Sequence, residues 1–272
     1  MAKPYKLVGR EFQPENTHIH VGDAVFGNGS FPVIAGPCAV ESEKQVLSIA
    51  KSVKDAGATV FRGGAFKPRT SPYSFQGLGK KGLLFLAKVR EETGLPIATE
   101  VMDIETFDLV EEYADLIQIG SRNMQNFSLL KRAGNSDKPI LLKRGMAATL
   151  SEWLMAAEYI LEQGNTRIIL CERGIRTFVR HSRNTLDLSV VTAAKQESHL
   201  PVIVDPSHAA GVRDQVISLA YASAAMGADG LMIEVHNHPE DALSDGAQSL
   251  YPDQFFTAME KINAIHAIIS KK

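Results

Sequence analysis

PVIAGPC (32–38), TVFRGGAF (59–66), PIATEV (96–101), LIQIG (116–120), PILLKRG (139–145), IILCERG (168–174), PVIVDPSH (201–208) and GLMIEVH (230–236) are eight short apolar runs. Their starts advance from residue 32 to residue 230 in seven steps that average about 28 residues per unit. Between them lie amphipathic stretches of helical period, such as EKQVLSIAKSVKDAG, LSEWLMAAEYILEQG and VRDQVISLAYASAAMG, each closed by a glycine suited to a helix C-terminus. Runs that are apolar almost throughout belong to strands buried on both faces, as in a parallel sheet covered by helices. Eight β-α units predict an α/β fold, a TIM (β/α)8 barrel. A doubly wound open sheet is the alternative, although five or six strands are more usual there. Upstream, THIHVGDAVFGNGSF (17–31) alternates in strand fashion around Gly27-Asn28-Gly29, which predicts a short N-terminal β-hairpin able to plug the N-terminal mouth. The expected organisation is therefore a tail and hairpin over residues 1–31 and a catalytic barrel over 32–272.

Outward from these runs, the 272 residues fit one such domain, and 44% hydrophobic with 22% charged residues excludes a disordered, collagenous or coiled-coil chain. A formal charge of −2 argues against nucleic acid as a partner. No apolar run reaches the roughly 18 residues of a membrane span, and polar sequence follows the first methionine directly. Only Cys38 and Cys171 occur, so a disulfide framework is excluded. The expectation is a cytoplasmic enzyme without membrane attachment.

Polar residues gather where the runs end: Cys38, Arg62 with Lys67, Glu100, Ser121 with Arg122, Lys143 with Arg144, Glu172 with Arg173, His208, and Glu234 with His236. In a barrel these ends converge on one mouth, where active sites are built. Cys38, His208, Glu234 and Asp245 offer thiolate, imidazole and carboxylate donors, a mixed set that suits Mn, Fe, Co or Zn. Taken alone, Cys38 reads more often as a small buried hydrophobe, and His236 and His238 compete with His208. Cys171, mid-strand among apolar residues, reads as core. Arg62, Lys67, Arg69, Arg122, Lys143 and Arg173 form a cationic set matched to phosphate and carboxylate oxygens. Gly63 and Gly64 are expected to admit a ligand close to the backbone. In FKPRTSP, Pro68 stiffens the loop, Arg69 offers a fork, and Thr70 and Ser71 offer hydroxyls. Taken without its context, that segment reads more often as an ordinary polar turn than as a phosphate loop.

Together, IAGPCAVES, FRGGAFKPRTSPYSFQGLG, ATEVMD, IQIGSRNMQN, LLKRGMAAT, CERGIRTF, VDPSHAAG and GLMIEVHNHPEDALSDGAQSL resemble the type I 3-deoxy-D-arabino-heptulosonate-7-phosphate (DAHP) synthases, in the branch that includes the 3-deoxy-D-manno-octulosonate-8-phosphate (KDO8P) synthases. The resemblance runs from about residue 17 to the C-terminus. It implies a barrel enzyme, a homotetramer, that condenses phosphoenolpyruvate with an aldose phosphate in the shikimate pathway to the aromatic amino acids. It further implies one divalent metal ion per subunit, manganese first, held by Cys38, His208, Glu234 and Asp245. Phosphoenolpyruvate contacts map onto Arg62, Lys67, Arg122, Lys143 and Arg173, with Ser121 through its backbone. Erythrose 4-phosphate contacts map onto Lys67-Pro68-Arg69-Thr70-Ser71. Lys67 is the expected proton donor, and Cys38 and His208 join it as catalytic residues through the metal. The octulosonate branch typically reads Lys-Ala-Asn-Arg-Thr-Ser at that loop, so KPRTS points to erythrose 4-phosphate over arabinose 5-phosphate. Cys38 implies the metal-dependent form, since the metal-free octulosonate enzymes carry asparagine there. A barrel kept as a binding or regulatory partner is the remaining alternative. Family members often carry an N-terminal regulatory or chorismate mutase domain. The segment before the first strand is too short for either, so direct feedback inhibition by aromatic amino acids is not expected.

Overall fold

A computed structural model of the chain describes residues 3–69 and 71–270. A two-stranded antiparallel hairpin comes first, β1 (Ile19–Val21) and β2 (Ala24–Phe26). Eight parallel strands then close into a barrel: β3 (Val33–Gly36), β4 (Val60–Arg62), β5 (Ile97–Val101), β6 (Leu116–Ile119), β7 (Ile140–Lys143), β8 (Ile168–Glu172), β9 (Val202–Val204) and β10 (Leu231–Glu234). The strands neighbour one another in chain order, and β10 pairs with β3 through Leu231↔Val33 to Glu234↔Gly36 to close the ring. This is the expected TIM barrel, and the open-sheet alternative is excluded.

Helices α1 (Glu43–Asp55), α2 (Lys80–Thr93), α3 (Phe107–Tyr113), α4 (Phe127–Gly134), α5 (Leu150–Glu162), α6 (Ser189–Glu197), α7 (Pro206–Ala210), α8 (Arg213–Ala225) and α9 (Pro252–Ile269) accompany the strands. Their starts follow local sequence. Ser42 caps α1 by accepting from the Gln45 N–H, and Thr149 with Glu152 forms a reciprocal capping box on α5. Among the described residues, no helix is long and apolar enough to cross a membrane.

Two apolar layers hold the barrel. The larger lies between strands and helices, and Trp153 is buried there with its indole N–H donating to the Leu142 carbonyl at 3.2 Å. The smaller fills the lumen with inward residues from every strand: Ile34, Val60, Ala98, Leu116, Leu141, Ile169, Cys171, Ile203 and Met232. Ile19, Val21, Ala24 and Phe26 of the hairpin pack onto the same cluster, so the hairpin closes the N-terminal end of the lumen. Its turn is Gly22-Asp23, between Val21 and Ala24, and not the expected Gly27-Asn28-Gly29, which follows β2. Both segments carry turn residues, but only the earlier turn aims all four apolar hairpin residues into the lumen. Cys171 lies in that lumen, as core.

Candidate active site

Strand parity builds the site. Side chains two residues apart share a face of a strand. Two positions beyond the luminal layer, the inward residues become Arg62, Glu100, Gln118, Lys143, Asp205 and Glu234, and Arg173 follows Cys171 on β8. Arg62, Glu100, Gln118, Lys143 and Arg173 floor a cavity of about 460 Å3 at the C-terminal mouth, completed by the loops after β4, β6, β8 and β10, while Asp205 and Glu234 are buried beneath its lining. Eight cations line it: Arg62, Lys67, Arg69, Arg122, Lys143, Arg173, Arg176 and Arg183, against the carboxylates of Glu100 and Asp245. Pro68, Ser71, Ser121 and His208 line it too, whereas Thr70 falls outside the described residues.

At one edge, Cys38, Glu234 and Asp245 bring ligand atoms within 4.8 Å of one another. His208 Nε2 stands 3.5 Å from Glu234 Oε1 and 3.9 Å from Asp245 Oδ2. The local sequence explains each placement. Asp205 caps α7, with proline at its first position, and this sets His208 on the opening turn. Asp205 Oδ2 takes the other ring nitrogen, Nδ1, at 2.7 Å, which leaves Nε2 facing the carboxylates. Asp245 adopts the left-handed conformation (φ 54°), which aspartate tolerates, at the start of a 3-10 turn over Gly246–Gln248. Gln248 Nε2 donates to Glu234 Oε2 at 2.5 Å and Arg62 Nη1 to Glu234 Oε1 at 2.8 Å.

Electrostatics at this edge oppose a bare thiolate. Burial, followed by the Glu234 charge, pushes the Cys38 thiol up to about 12, and Lys67 offsets only part of that. Lys67 Nζ donates to Cys38 Sγ at 2.9 Å and to its carbonyl at 2.8 Å, while the thiol donates to Asp245 Oδ2 at 3.3 Å. Burial works against ionised Asp245, but His208 and Arg183 outweigh it and bring the carboxyl down to about 2. One soft sulfur, two carboxylates and an imidazole held by a buried carboxylate fit a divalent transition metal, and a cation would compensate the clustered negative charge. Arg62 Nε is buried without a partner among the described residues, on a side chain that lines the cavity.

A family model described as the DAHP synthetase I family matches residues 12–270. The chain belongs to this family. It is 56% identical over 248 residues to a phospho-2-dehydro-3-deoxyheptonate aldolase of Thermotoga maritima, covering 91% of this chain and 73% of the relative. It is 35% identical over 271 residues to a 2-dehydro-3-deoxyphosphooctonate aldolase of Syntrophotalea carbinolica, covering 92% and 96%. The solved structure of a Thermotoga maritima phospho-2-dehydro-3-deoxyheptonate aldolase (DAHP synthase) superposes with a TM-score of 0.97 at 52% identity, covering 99% of this chain and 79% of that one. A truncated form of the 3-deoxy-D-arabino-heptulosonate 7-phosphate synthase of that organism superposes at 0.92 and 47% identity, with 98% of each chain covered.

In this DAHP synthetase I chain not every strand-end residue reaches the mouth. Arg144 and Glu172 lie at the opposite parity and pair behind the sheet at 3.0 Å, with Asp187 also on Arg144 at 2.9 Å. Burial raises the pKa of Glu172 there. His236 bonds with Gln45 at 3.0 Å and stands 3.5 Å from Glu41, away from the cavity lining, so His208 is the histidine at the thiol and carboxylates. The expectation for Gly63 and Gly64 needs correcting. A Cβ on Gly64 would meet the Cys38 carbonyl at 2.8 Å and Lys67 Cδ at 2.9 Å, so the bare backbone makes room for Lys67, not for a ligand. Around Gly63 a Cβ would meet Leu86 and Val40, both at 3.0 Å, which is core packing. Sequence reasoning missed Arg176, Arg183 and Asn184, which line the cavity from the loop after β8. Their signal was the arginine-rich run RTFVRHSRN (176–184).

Proposed function

We propose that this chain condenses phosphoenolpyruvate with D-erythrose 4-phosphate to give DAHP and inorganic phosphate, the entry reaction of the shikimate pathway. The observation that carries this reading is a cavity lined by eight cations, with a thiol, imidazole and dicarboxylate cluster at its edge that reaches the lining through His208 and Asp245. Each substrate brings a phosphate of about −1.5 to −2, and holding two such anions within reach is a large part of the catalytic task. Arg62, Arg122, Lys143, Arg173 and the Ser121 backbone would hold phosphoenolpyruvate. Lys67-Pro68-Arg69-Thr70-Ser71 would hold the aldose phosphate. Cys38, His208, Glu234 and Asp245 would hold one divalent ion, manganese first, with Fe, Co and Zn suited to the same donors. When bound, such an ion supplies Lewis-acid polarisation of the aldehyde.

The chain's own groups carry the protons. As the methylene carbon of phosphoenolpyruvate bonds to the aldehyde carbon, Lys67 Nζ donates a proton to the developing alkoxide. The adjacent carbon becomes cationic and is captured by water. Glu100, whose Oε2 is held by Gln118 at 2.9 Å, receives the water's proton. In the resulting hemiketal phosphate the hydroxyl forms the ketone C=O as the bond from carbon to the phosphate oxygen breaks, and the hydroxyl proton passes to the phosphate, which leaves as inorganic phosphate. Octulosonate-type relatives are near 31–35% identity, so arabinose 5-phosphate is the weaker choice of aldose. Phosphate release measured with each aldose in turn, with and without a chelator, tests the reading. Turnover of arabinose 5-phosphate over erythrose 4-phosphate, or none of either with metal supplied, would overturn it. A cytoplasmic homotetramer, with residues 32–272 as the catalytic barrel and 1–31 as tail and hairpin, completes the proposal, and sedimentation equilibrium checks the assembly.

A further inference from the structure

Asp205 is a carboxylate with two claimants. Its Oδ2 accepts from Lys143 Nζ at 2.5 Å and from His208 Nδ1 at 2.7 Å, while Oδ1 accepts the His208 backbone N–H at 2.9 Å. The carboxylate is wholly buried and Lys143 is only 3% exposed, so little water screens that pair, while the His208 side chain is 16% exposed. Both neighbours line the cavity: His208 faces the metal-type cluster at its edge, and Lys143 stands among the cations.

We propose that Asp205 is a positioning residue that couples the two sites, so that filling the anion site with phosphoenolpyruvate tightens the metal site. This rests on the reading that phosphoenolpyruvate binds at Lys143. A carboxylate on Nδ1–H fixes the tautomer and makes Nε2 a stronger donor. The Lys143 ammonium offsets that charge for as long as it rests on Asp205 alone. An anion entering the cavity takes a share of the ammonium, and the freed charge of Asp205 falls more fully on His208. Linkage makes the effect mutual, so metal tightens phosphoenolpyruvate binding by the same factor.

The test is metal affinity of the full chain, read by competition between Mn2+ binding and a chromophoric chelator, with and without phosphoenolpyruvate and with no aldose present. In the unsubstituted protein, phosphoenolpyruvate should tighten Mn2+ at least about fivefold, the lower end of ordinary coupling. Asp205→Asn should weaken Mn2+ about 10–100-fold and abolish most of the phosphoenolpyruvate effect. Lys143→Met, measured without phosphoenolpyruvate, keeps the inference testable if Asp205→Asn does not fold: it should bind Mn2+ more tightly than the unsubstituted chain. Equal phosphoenolpyruvate effects with and without Asp205, or unchanged Mn2+ affinity in Lys143→Met, overturn the coupling. If calorimetry shows that phosphoenolpyruvate fails to bind the metal-loaded chain at all, the functional reading falls with it. Intact binding with unaltered coupling removes this inference alone.

Discussion

Gly120→Ala offers a steric probe of Glu100 that leaves the charge of the cavity unchanged. Gly120 has φ −67° and ψ 157°, a conformation open to any residue, so alanine brings no backbone strain. Its Cβ would stand 2.0 Å from Glu100 Oε1 and 2.9 Å from Glu100 Cδ, inside any tolerable contact. The carboxylate must swing away, and it gives up its 2.9 Å hydrogen bond from Gln118. A hydrogen bond to a charged group contributes about 1.5–3 kcal/mol, so restoring the productive position should cost one to two orders of magnitude in rate. The expected result is a kcat lowered about 10–100-fold, with the KM of both substrates nearly unchanged, since the Cβ at residue 120 would meet Glu100 first and not the cations proposed to bind them. Initial-rate kinetics of phosphate release measure this, and Glu100→Ala supplies the control. If Glu100 is the group displaced, Gly120→Ala added to Glu100→Ala should cost almost nothing further. Full additivity of the two substitutions would falsify the steric argument, and an unaltered kcat in Gly120→Ala would remove Glu100 from the water step.

Other consequences are checked separately. Chelation should abolish turnover and Mn2+ should restore it; Cys38→Ser should bind Mn2+ weakly by chelator competition, and full activity after verified metal removal would reject the metal assignment. Arg69→Ala should raise the KM for erythrose 4-phosphate more than that for phosphoenolpyruvate, by the equivalent of about 1.5–3 kcal/mol, and equal effects on both would refute the division of the cavity. In the metal-free chain Asp245, brought down to about 2, contributes stability that is present above the ordinary carboxyl range and is lost as pH falls from about 4 through 2; Asp245→Asn should flatten that limb of a denaturation series, and an unchanged acid limb would count against it. Phe26→Ala, emptying a fully buried hairpin position on the luminal cluster, should cost about 3–5 kcal/mol in chemical denaturation, and a loss under 1 kcal/mol would mean that the hairpin is not packed as described.

The barrel was legible because its strands are apolar on both faces and several helices carry their own boundary signals, such as Ser42, Thr149 with Glu152, and Gly94. PVIVDPSH shows how far this extends: Asp and Pro end the strand and open a helix, and the histidine falls on the first turn. The hairpin was legible as an element but not in register, since Gly22-Asp23 and Gly27-Asn28-Gly29 are both turn-competent. Only contact of Ile19, Val21, Ala24 and Phe26 with the lumen chooses between them. Arg183 was not legible. It sits ten residues beyond Arg173 in a loop, and its place is set by tertiary partners, Asp245 at 3.2 Å and Gln248 at 3.0 Å.

The polar strand ends divide by a rule that was already present in the sequence. Val60, Ala98, Leu141, Ile203 and Met232 are luminal, and adding two gives Arg62, Glu100, Lys143, Asp205 and Glu234, all on the same inward face. Leu116 leads by the same step to Gln118 and then to Gly120, and Ile169 leads through Cys171 to Arg173. Arg144 and Glu172 are one residue out of phase, and the same pleat that aims Lys143 and Arg173 at the mouth turns them toward the helices. There a buried charge must find a partner, and each finds the other. A fully apolar strand hides its parity, because both faces look alike until the lumen is identified. The hairpin supplies that reference: the strand residues clustered with Ile19 and Phe26 define inward, and the chemistry follows two residues later on strand after strand.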